Sequence, residues 1–409
     1  DPPPSLDPAN GDDSNDPSSS SSSSSSWEKE RSRLESQFRS LPIWERNRDL
    51  CTEGLRILER WHRDLEPPAW RRIEKRAAKE LNESEPCLRY ASEWLEAATA
   101  GEADGSVVGG DNGGGDDDGD DDEGTPTSSS SGKATIVDLC SGFGLTSMFL
   151  SELLPPDRVS RIWLLDKMWP CAGSDGDGGS SPPGGRVNVD HIHGREWPIP
   201  LRLRKTDIKA GREMRQVRKY VIGPSEGPVL VLGIHLCKAL SVHAVKLYQS
   251  SPKITAMVLK PCCLPGKNMM YRKKDPIVWR FDNGYEFRPR DVYYRPAEGR
   301  SVGEGEEEEK GEDGRAEERA RKEDARRSSS ASEKNALEDN EGAENPISGG
   351  HGGKNCTNER FSRWVDHLRR ACEDDRCNVS VRHIDITKHH FQNQFIFCER
   401  VAPSSTISK

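Results

Sequence analysis

A mixed α/β fold organised around a mostly parallel sheet is what this sequence predicts, and three observations carry the prediction. The run Val229–Leu236 (VLVLGIHL) is apolar but for Gly233 and His235, the pattern of a central parallel strand covered on both faces. A second apolar stretch, Ala134–Val137, is closed by Asp138; Ser141, Gly142 and Gly144 then make a tight turn and Leu145–Leu150 opens a helix. A third, Arg161–Leu165, closes on Asp166, 28 residues after Asp138, room for turn, crossover helix and return strand. Read to the end, the chain offers five β/α steps, a helix and a closing hairpin. That is a Rossmann-like sheet of seven strands, with an N-terminal helical appendage and disordered insertions.

Only part of the 409 residues takes part. Hydrophobic residues make up 32% and the mean hydropathy is −0.84, too polar for a chain that folds throughout. The deficit is local: residues 1–26 are Pro/Ser/Asp-rich, 101–132 is a Gly/Asp tract, 172–185 is Gly/Ser/Pro and 296–355 is Glu/Gly/Arg/Ser-rich. None has periodicity or enough apolar surface to offset chain entropy, so all four read as disordered. The expected domains are a helical appendage over 27–100, an acidic linker over 101–132, and the main domain over 133–403 with its two insertions. Those four segments carry a formal charge of −24 against −9 for the whole chain, which leaves +15 on the remainder. A basic folded body with acidic loops suits a nucleic-acid partner, and acidic tracts that merely keep the protein soluble are the alternative.

Eleven cysteines without a regular framework point to a reducing compartment, cytoplasmic or nuclear. There is no Cys-x-x-Cys pair and no apolar run long enough to span a membrane. The chain starts at Asp1 rather than methionine, which leaves an upstream targeting segment open.

Within the appendage, Leu50, Leu55, Ile57, Leu58, Trp61 and Leu65 recur at helical spacing. Pro67-Pro68 ends that helix, Trp70 leads another, and Pro86 opens a third carrying Leu88, Trp94 and Leu95. The tryptophans read as core, and Arg71, Arg72, Lys75 and Arg76 as a solvated face rather than an RNA contact.

In the main domain, Asp166 ends the second strand, placed to accept hydrogen bonds from two vicinal ribose hydroxyls. Trp169 is placed either to stack on adenine or to pack in the core. The third strand, from Pro200, ends at Asp207, which either accepts an adenine amino group or caps the next helix, Gly211–Tyr220. His235 closes the fourth strand at the cleft side of the sheet. Lys238–Gln249 is helical, and Ile254–Lys260 is the fifth strand, leaving through the turn Lys260–Pro265 (KPCCLP). From Tyr271 to Arg295 cations interleave with Tyr285, Phe287, Tyr293 and Tyr294, a composition for phosphate contacts and base stacking or for aromatics that cover the core. Arg360–Cys372 is an amphipathic helix, and Val379–Ile386 and Asn393–Arg400 are the hairpin strands, joined by a short turn.

The pattern Asp-x-x-x-Gly-x-Gly from Asp138 to Gly144 resembles the S-adenosylmethionine motif of class I methyltransferases. A nicotinamide loop requires a third glycine where Ser147 stands. Asp138–Gly144 (DLCSGFG), Thr206–Lys209 (TDIK), Gly233–Cys237 (GIHLC) and Lys260–Cys263 (KPCC) occur in the order of the methyltransferase-32 domain family. The resemblance covers about 134–170, 197–265 and 357–401. That family includes eukaryotic tRNA 2′-O-methyltransferases acting on the acceptor stem, and uncharacterised plant and algal members. The turn at Lys260–Pro265 and the Gln392-Asn393-x-Phe395 hairpin are most similar to the plant and algal branch. What the resemblance implies is a class I methyltransferase sheet and S-adenosylmethionine as cofactor, held by Asp138, Cys140, Ser141, Gly142, Gly144, Asp166, Lys167, Asp207 and His235. It further implies RNA, with tRNA at a ribose 2′-hydroxyl, as acceptor. Two departures stand against the tRNA substrate and an intact pocket: Lys238 replaces the family's glycine, and residues 1–133 hold only Cys51 and Cys87 where the tRNA enzymes carry zinc fingers.

Transfer from a sulfonium needs an in-line nucleophile held near the methyl carbon, and a hydroxyl acceptor gains from a base and a cation beside the developing alkoxide. His235 and Lys260, at the ends of adjacent strands, are the candidates for base and electrostatic stabiliser. Cys262 or Cys263 lines the cofactor pocket on this reading. No metal is assigned, although Cys262 and Cys263 with His235 and Cys237 offer four donors. A protein or small-molecule acceptor, and a non-catalytic RNA-binding or scaffold protein retaining the fold, are the rival readings.

Overall fold

The structure, a computed structural model, describes residues 22–103, 132–169, 189–270, 277–294, 352–387 and 392–401. The segments expected to be disordered fall mostly outside these, as do residues 271–276 of the cation–aromatic stretch. At the margins, residues 22–26, 101–103 and 352–355 belong to helices.

Five strands, β1 (Ala134–Leu139), β2 (Val159–Asp166), β3 (Leu201–Lys205), β4 (Val229–Leu236) and β5 (Ile254–Pro261), run parallel. A small ribbon, β6 (Trp279–Arg280) with β7 (Glu286–Phe287), stands apart. Strands β8 (Cys377–His383) and β9 (Gln394–Arg400) complete a seven-stranded sheet in the order β3-β2-β1-β4-β5-β9-β8, with β9 antiparallel to both neighbours. The mixed α/β, mostly parallel, Rossmann-like sheet expected from the sequence is therefore present. The β8–β9 link runs from Ile384 to Asn393, longer than the short turn expected.

The continuous apolar strands are explained by the two layers they separate. In β1, Ala134 and Ile136 join the core on one face, and Val137 and Leu139 the core on the other; in β4, Leu230, Leu232 and Ile234 oppose Val229 and Val231. Successive side chains leave a strand on opposite faces, so a strand covered twice must be apolar at every position. One face carries α6 (Leu145–Leu153) and α7 (Asp190–His193). The other carries α8 (Gly211–Val217) with the π-turn Arg218–Ile222, α9 (Leu240–Gln249), α10 (Pro289–Tyr293) and α11 (Gly352–Cys372).

The N-terminal helices are not an appendage. They are α1 (Ser22–Arg39), α2 (Ile43–Arg46), α3 (Arg48–Asp64), α4 (Pro67–Ile73) and α5 (Ala77–Ala103). Their apolar side chains, Trp61, Trp70 and Trp94 included, share one core with α6 and the first face of the sheet. Polar contacts lock the junction. The carboxylate of Glu152 on α6, 3% exposed, takes Trp61 Nε1 at 2.9 Å, Arg60 at 2.9 Å and Arg195 at 3.2 Å. Asn82 donates to the Ile386 carbonyl at 2.7 Å and accepts from the Ile43 amide at 3.0 Å, tying α5 to the link before β9.

Pro86 does not open a helix; α5 runs through it. Proline inside a helix costs about 3 kcal/mol. Here the turn around it, Leu81 to Leu88, is buried on all sides, and that packing outweighs the lost hydrogen bond.

The aromatics of the cation–aromatic stretch cover the core. Phe287 stacks on His367 with ring centroids 4.4 Å apart, Tyr285 Oη meets His367 Nδ1 at 2.5 Å, and Tyr293 Oη donates to the Pro265 carbonyl. Phe287 and Tyr293 are buried and offer no free face for base stacking, Tyr285 is half-buried, and Tyr294 is exposed. Among the described residues no helix is long and apolar enough to cross a membrane.

Lys238 stands just beyond β4 in left-handed backbone, φ 57°, a conformation that costs a residue with a Cβ about 1–2 kcal/mol. Its side chain is exposed and does not line the cavity described below, so the departure from glycine is a backbone matter. Lys238→Gly is expected to raise stability by about 0.5–1 kcal/mol, the strain relieved less glycine's larger chain entropy, read from the urea midpoint.

Candidate active site

Strand order reverses between β1 and β4, and the carboxyl ends of these two strands diverge there, the place where open parallel sheets bind ligands. A cavity of about 220 Å³ opens at this point, lined by Asp138 and Cys140–Thr146 from β1 and its turn, and by Ile234 and His235 from β4. Arg76 and Glu80 form the remaining wall.

The turn between β1 and α6 is shaped by three left-handed residues, Cys140 (φ 54°), Gly142 (φ 56°) and Gly144 (φ 81°). The two glycines serve different needs. A Cβ on Gly142 would meet nothing nearer than the Cys140 carbonyl at 3.9 Å, so the space before it is open. On Gly144 it would strike Leu164 at 2.7 Å and Ile192 at 3.1 Å, so this glycine lets the turn press onto β2 and α7. Phe143 is clamped from both sides, its ring 3.9 Å from that of His191 and 5.2 Å from the Arg76 guanidinium. His191 Nε2 also lies 2.8 Å from the Phe143 carbonyl oxygen.

Asp166 ties the second strand to the same turn. Its Oδ2 accepts the Gly142 amide at 3.1 Å and its Oδ1 the Met168 amide at 2.8 Å. Each oxygen keeps a lone pair for a further donor. Trp169 is in the core, donating through Nε1 to Ser141 Oγ at 3.1 Å, so it braces the turn rather than offering a stacking face. Asp207 accepts the Lys209 amide at 3.0 Å, a cap of its own turn, and is half-buried outside the cavity lining. Lys167 is exposed and likewise outside that lining. Burial pushes the Cys140 thiol up to about 12, so it stays protonated.

Asp138 is buried and accepts a hydrogen bond from Ser147 Oγ at 2.8 Å. Burial lifts its carboxyl to about 7, only partly opposed by that bond and by His235. The folded protein therefore holds a proton that the unfolded chain releases between about pH 4 and about pH 7, and stability falls as pH rises through that window. Asp138→Asn removes the ionisation. It is expected to be more stable than the parent at about pH 8 by on the order of 3 kcal/mol, with the gain shrinking toward about pH 5, in urea titrations at both pH values.

Helix α5 supplies what the strand pattern does not contain. His235 Nε2 lies 3.3 Å from Glu83 Oε2 and 3.6 Å from Glu80 Oε2. Burial raises the Glu80 carboxyl, yet the hydrogen bond and charge of His235, with Lys79 and Arg76, bring it below its ordinary value. With Nε2 holding a proton toward the carboxylates, Nδ1 is the basic nitrogen of the neutral ring. Lys260 is 3% exposed, absent from the cavity lining, and paired at 3.6 Å with Glu83, itself 8% exposed. The two expected catalytic residues are thus joined through one glutamate, with His235 at the cavity and Lys260 behind it. Neither Glu80 nor Glu83 carries a motif; their three-residue spacing is common on a solvated helix.

Cys237, Cys262 and Cys263 gather at the ends of β4 and β5, outside the cavity lining, and His235 is not part of the group. Fold and site together define a Rossmann-like α/β protein with a cavity at the reversal of its strand order. Comparison with known families, curated proteins and solved structures returned no match.

Proposed function

We propose that the protein is an S-adenosylmethionine-dependent methyltransferase whose acceptor is RNA, with a tRNA ribose 2′-hydroxyl as the acceptor position. One observation carries the reading: the acid–glycine turn of β1 and the acid ending β2 are hydrogen-bonded into one unit beside an open cavity at the strand-order reversal. The reversed β9 beside β5 agrees with the class I methyltransferase sheet.

The residues present fit the cofactor. Asp166 has lone pairs to spare for two vicinal ribose hydroxyls, and Asp138 is a buried carboxyl at the cavity that a ligand ammonium would keep ionised. Cys140, Ser141, Gly142 and Gly144 line the cavity beside Asp138, while Asp207 and Lys167 lie outside that lining and would reach the cofactor only at its adenine end. When bound, S-adenosylmethionine supplies an electrophilic methyl group. His235 then takes the acceptor hydroxyl's proton on Nδ1, and Glu80 and Glu83 stabilise the imidazolium formed. Lys260 is a positioning residue, holding Glu83 charged and in place.

RNA as acceptor is supported by the formal charge of +15 outside the four acidic segments. It is also supported by a recess of about 290 Å³ between α8 and α9, lined by Lys209, Arg215, Arg218 and Lys246. A protein or small-molecule acceptor is the second reading, favoured by the burial of Phe287 and Tyr293 in the core. Incubation with labelled S-adenosylmethionine, total RNA and total protein separates these. Protease-resistant label in RNA is the expected result, and label in protein alone replaces the acceptor. Absence of S-adenosylmethionine binding overturns the enzyme reading in favour of a non-catalytic protein.

A further inference from the structure

The three cysteines at the ends of β4 and β5 form a closed triangle. Sγ of Cys237 lies 3.0 Å from that of Cys262 and 3.8 Å from that of Cys263, and the last two are 3.6 Å apart. A tetrahedral ion with metal–sulfur bonds of about 2.3 Å holds its thiolates about 3.8 Å apart. Two edges match that spacing. The third is too long for a disulfide bond and closer than unbonded sulfurs ordinarily rest. We propose that Cys237, Cys262 and Cys263 are a three-thiolate site for a thiophilic divalent ion of the Zn²⁺ class, with solvent as the fourth ligand.

The backbone is arranged to hold the triangle. Lys238, in left-handed backbone, turns the chain directly after Cys237. The turn carrying the adjacent pair is bounded by Pro261 and Pro265 and pinned twice, by Gln392 Nε2 on the Cys262 carbonyl at 3.0 Å and by Tyr293 Oη on that of Pro265. A divalent ion bound there replaces the thiol protons. Three thiolates on a divalent ion leave one net negative charge, and the cation Lys238 is the residue next to Cys237. Bound there, the ion would staple the end of β4, which carries His235, to the turn after β5.

The test is independent of any methyl donor. The full chain, purified under reductant, is titrated with Co²⁺ as a spectroscopic probe. One equivalent with a thiolate-to-cobalt charge-transfer band, displaced by Zn²⁺, is expected. Cys262→Ser and Cys263→Ser are each expected to abolish the band, while Cys377→Ser, remote from the triangle, keeps it. In the unsubstituted protein Zn²⁺ should shield Cys237, Cys262 and Cys263 from alkylation until a chelator is added, which guards against a variant that merely misfolds. The proposal is overturned by any of three results. These are no stoichiometric uptake of either ion, uptake that survives both serine substitutions, or reductant-purified protein that carries a Cys237–Cys262 disulfide and takes up no metal.

Discussion

Glu83→Gln is expected to destabilise the protein by about 3–5 kcal/mol, the cost of leaving a buried cation without its counter-charge. Lys260 is 3% exposed, and its one ion-pair partner among the described residues is Glu83 at 3.6 Å. Phe395, with its ring 5.9 Å from the ammonium, is a weak substitute. Removing both charges should undo most of the loss: Glu83→Leu with Lys260→Met puts apolar groups of similar reach into the same space, and buried pairs replaced this way are often neutral. Urea unfolding of both variants is the measurement. A loss below about 1 kcal/mol for Glu83→Gln is the range of solvent-screened pairs, and would show that Lys260 reaches water or another acceptor. The outcome also bears on the site, because Glu83 is the group through which Lys260 orients His235.

Asp166→Ala is expected to weaken S-adenosylmethionine binding by at least about 100-fold. Hydrogen bonds to a charged group contribute about 1.5–3 kcal/mol each, and two vicinal hydroxyls would use both oxygens. The same oxygens hold the amides of Gly142 and Met168, so the substitution also loosens the turn that lines the cavity. Calorimetric titration with S-adenosylmethionine and S-adenosylhomocysteine should show parallel losses, since the two share the ribose. Asp166→Asn, which keeps one carbonyl acceptor, should fall between. Unchanged affinity in the alanine variant would separate Asp166 from the nucleoside and remove the main support for the proposed cofactor.

Much of the main domain was legible because its signals are local. A strand covered on both faces is apolar along most of its length, and β1, β4 and β5 are, with Asp138, His235 and Lys260 standing toward their carboxyl ends. The acid near the end of β1, the turn after it and the acid ending β2 were each legible from neighbouring residue types, and the structure joins them by the Asp166–Gly142 hydrogen bond. Elsewhere local reading misled. Pro86 looked like a helix start, although burial on all sides carries α5 through it. Between the two readings left open for the cation–aromatic stretch, the structure chose core cover for Phe287 and Tyr293, which pack around α11.

The sequence by itself determined the sheet and the acid–glycine turn, because strand burial and backbone conformation are written in neighbouring residues. Only the tertiary structure decided that the N-terminal helices belong to the same core, that Glu80 and Glu83 on α5 meet His235 and Lys260, and that three cysteines from two strand ends converge. These contacts join residues more than 150 positions apart for the glutamates and about 25 for the thiols. A glutamate on a helix carries no mark of burial in its own sequence; its environment is set by the surface that packs against it.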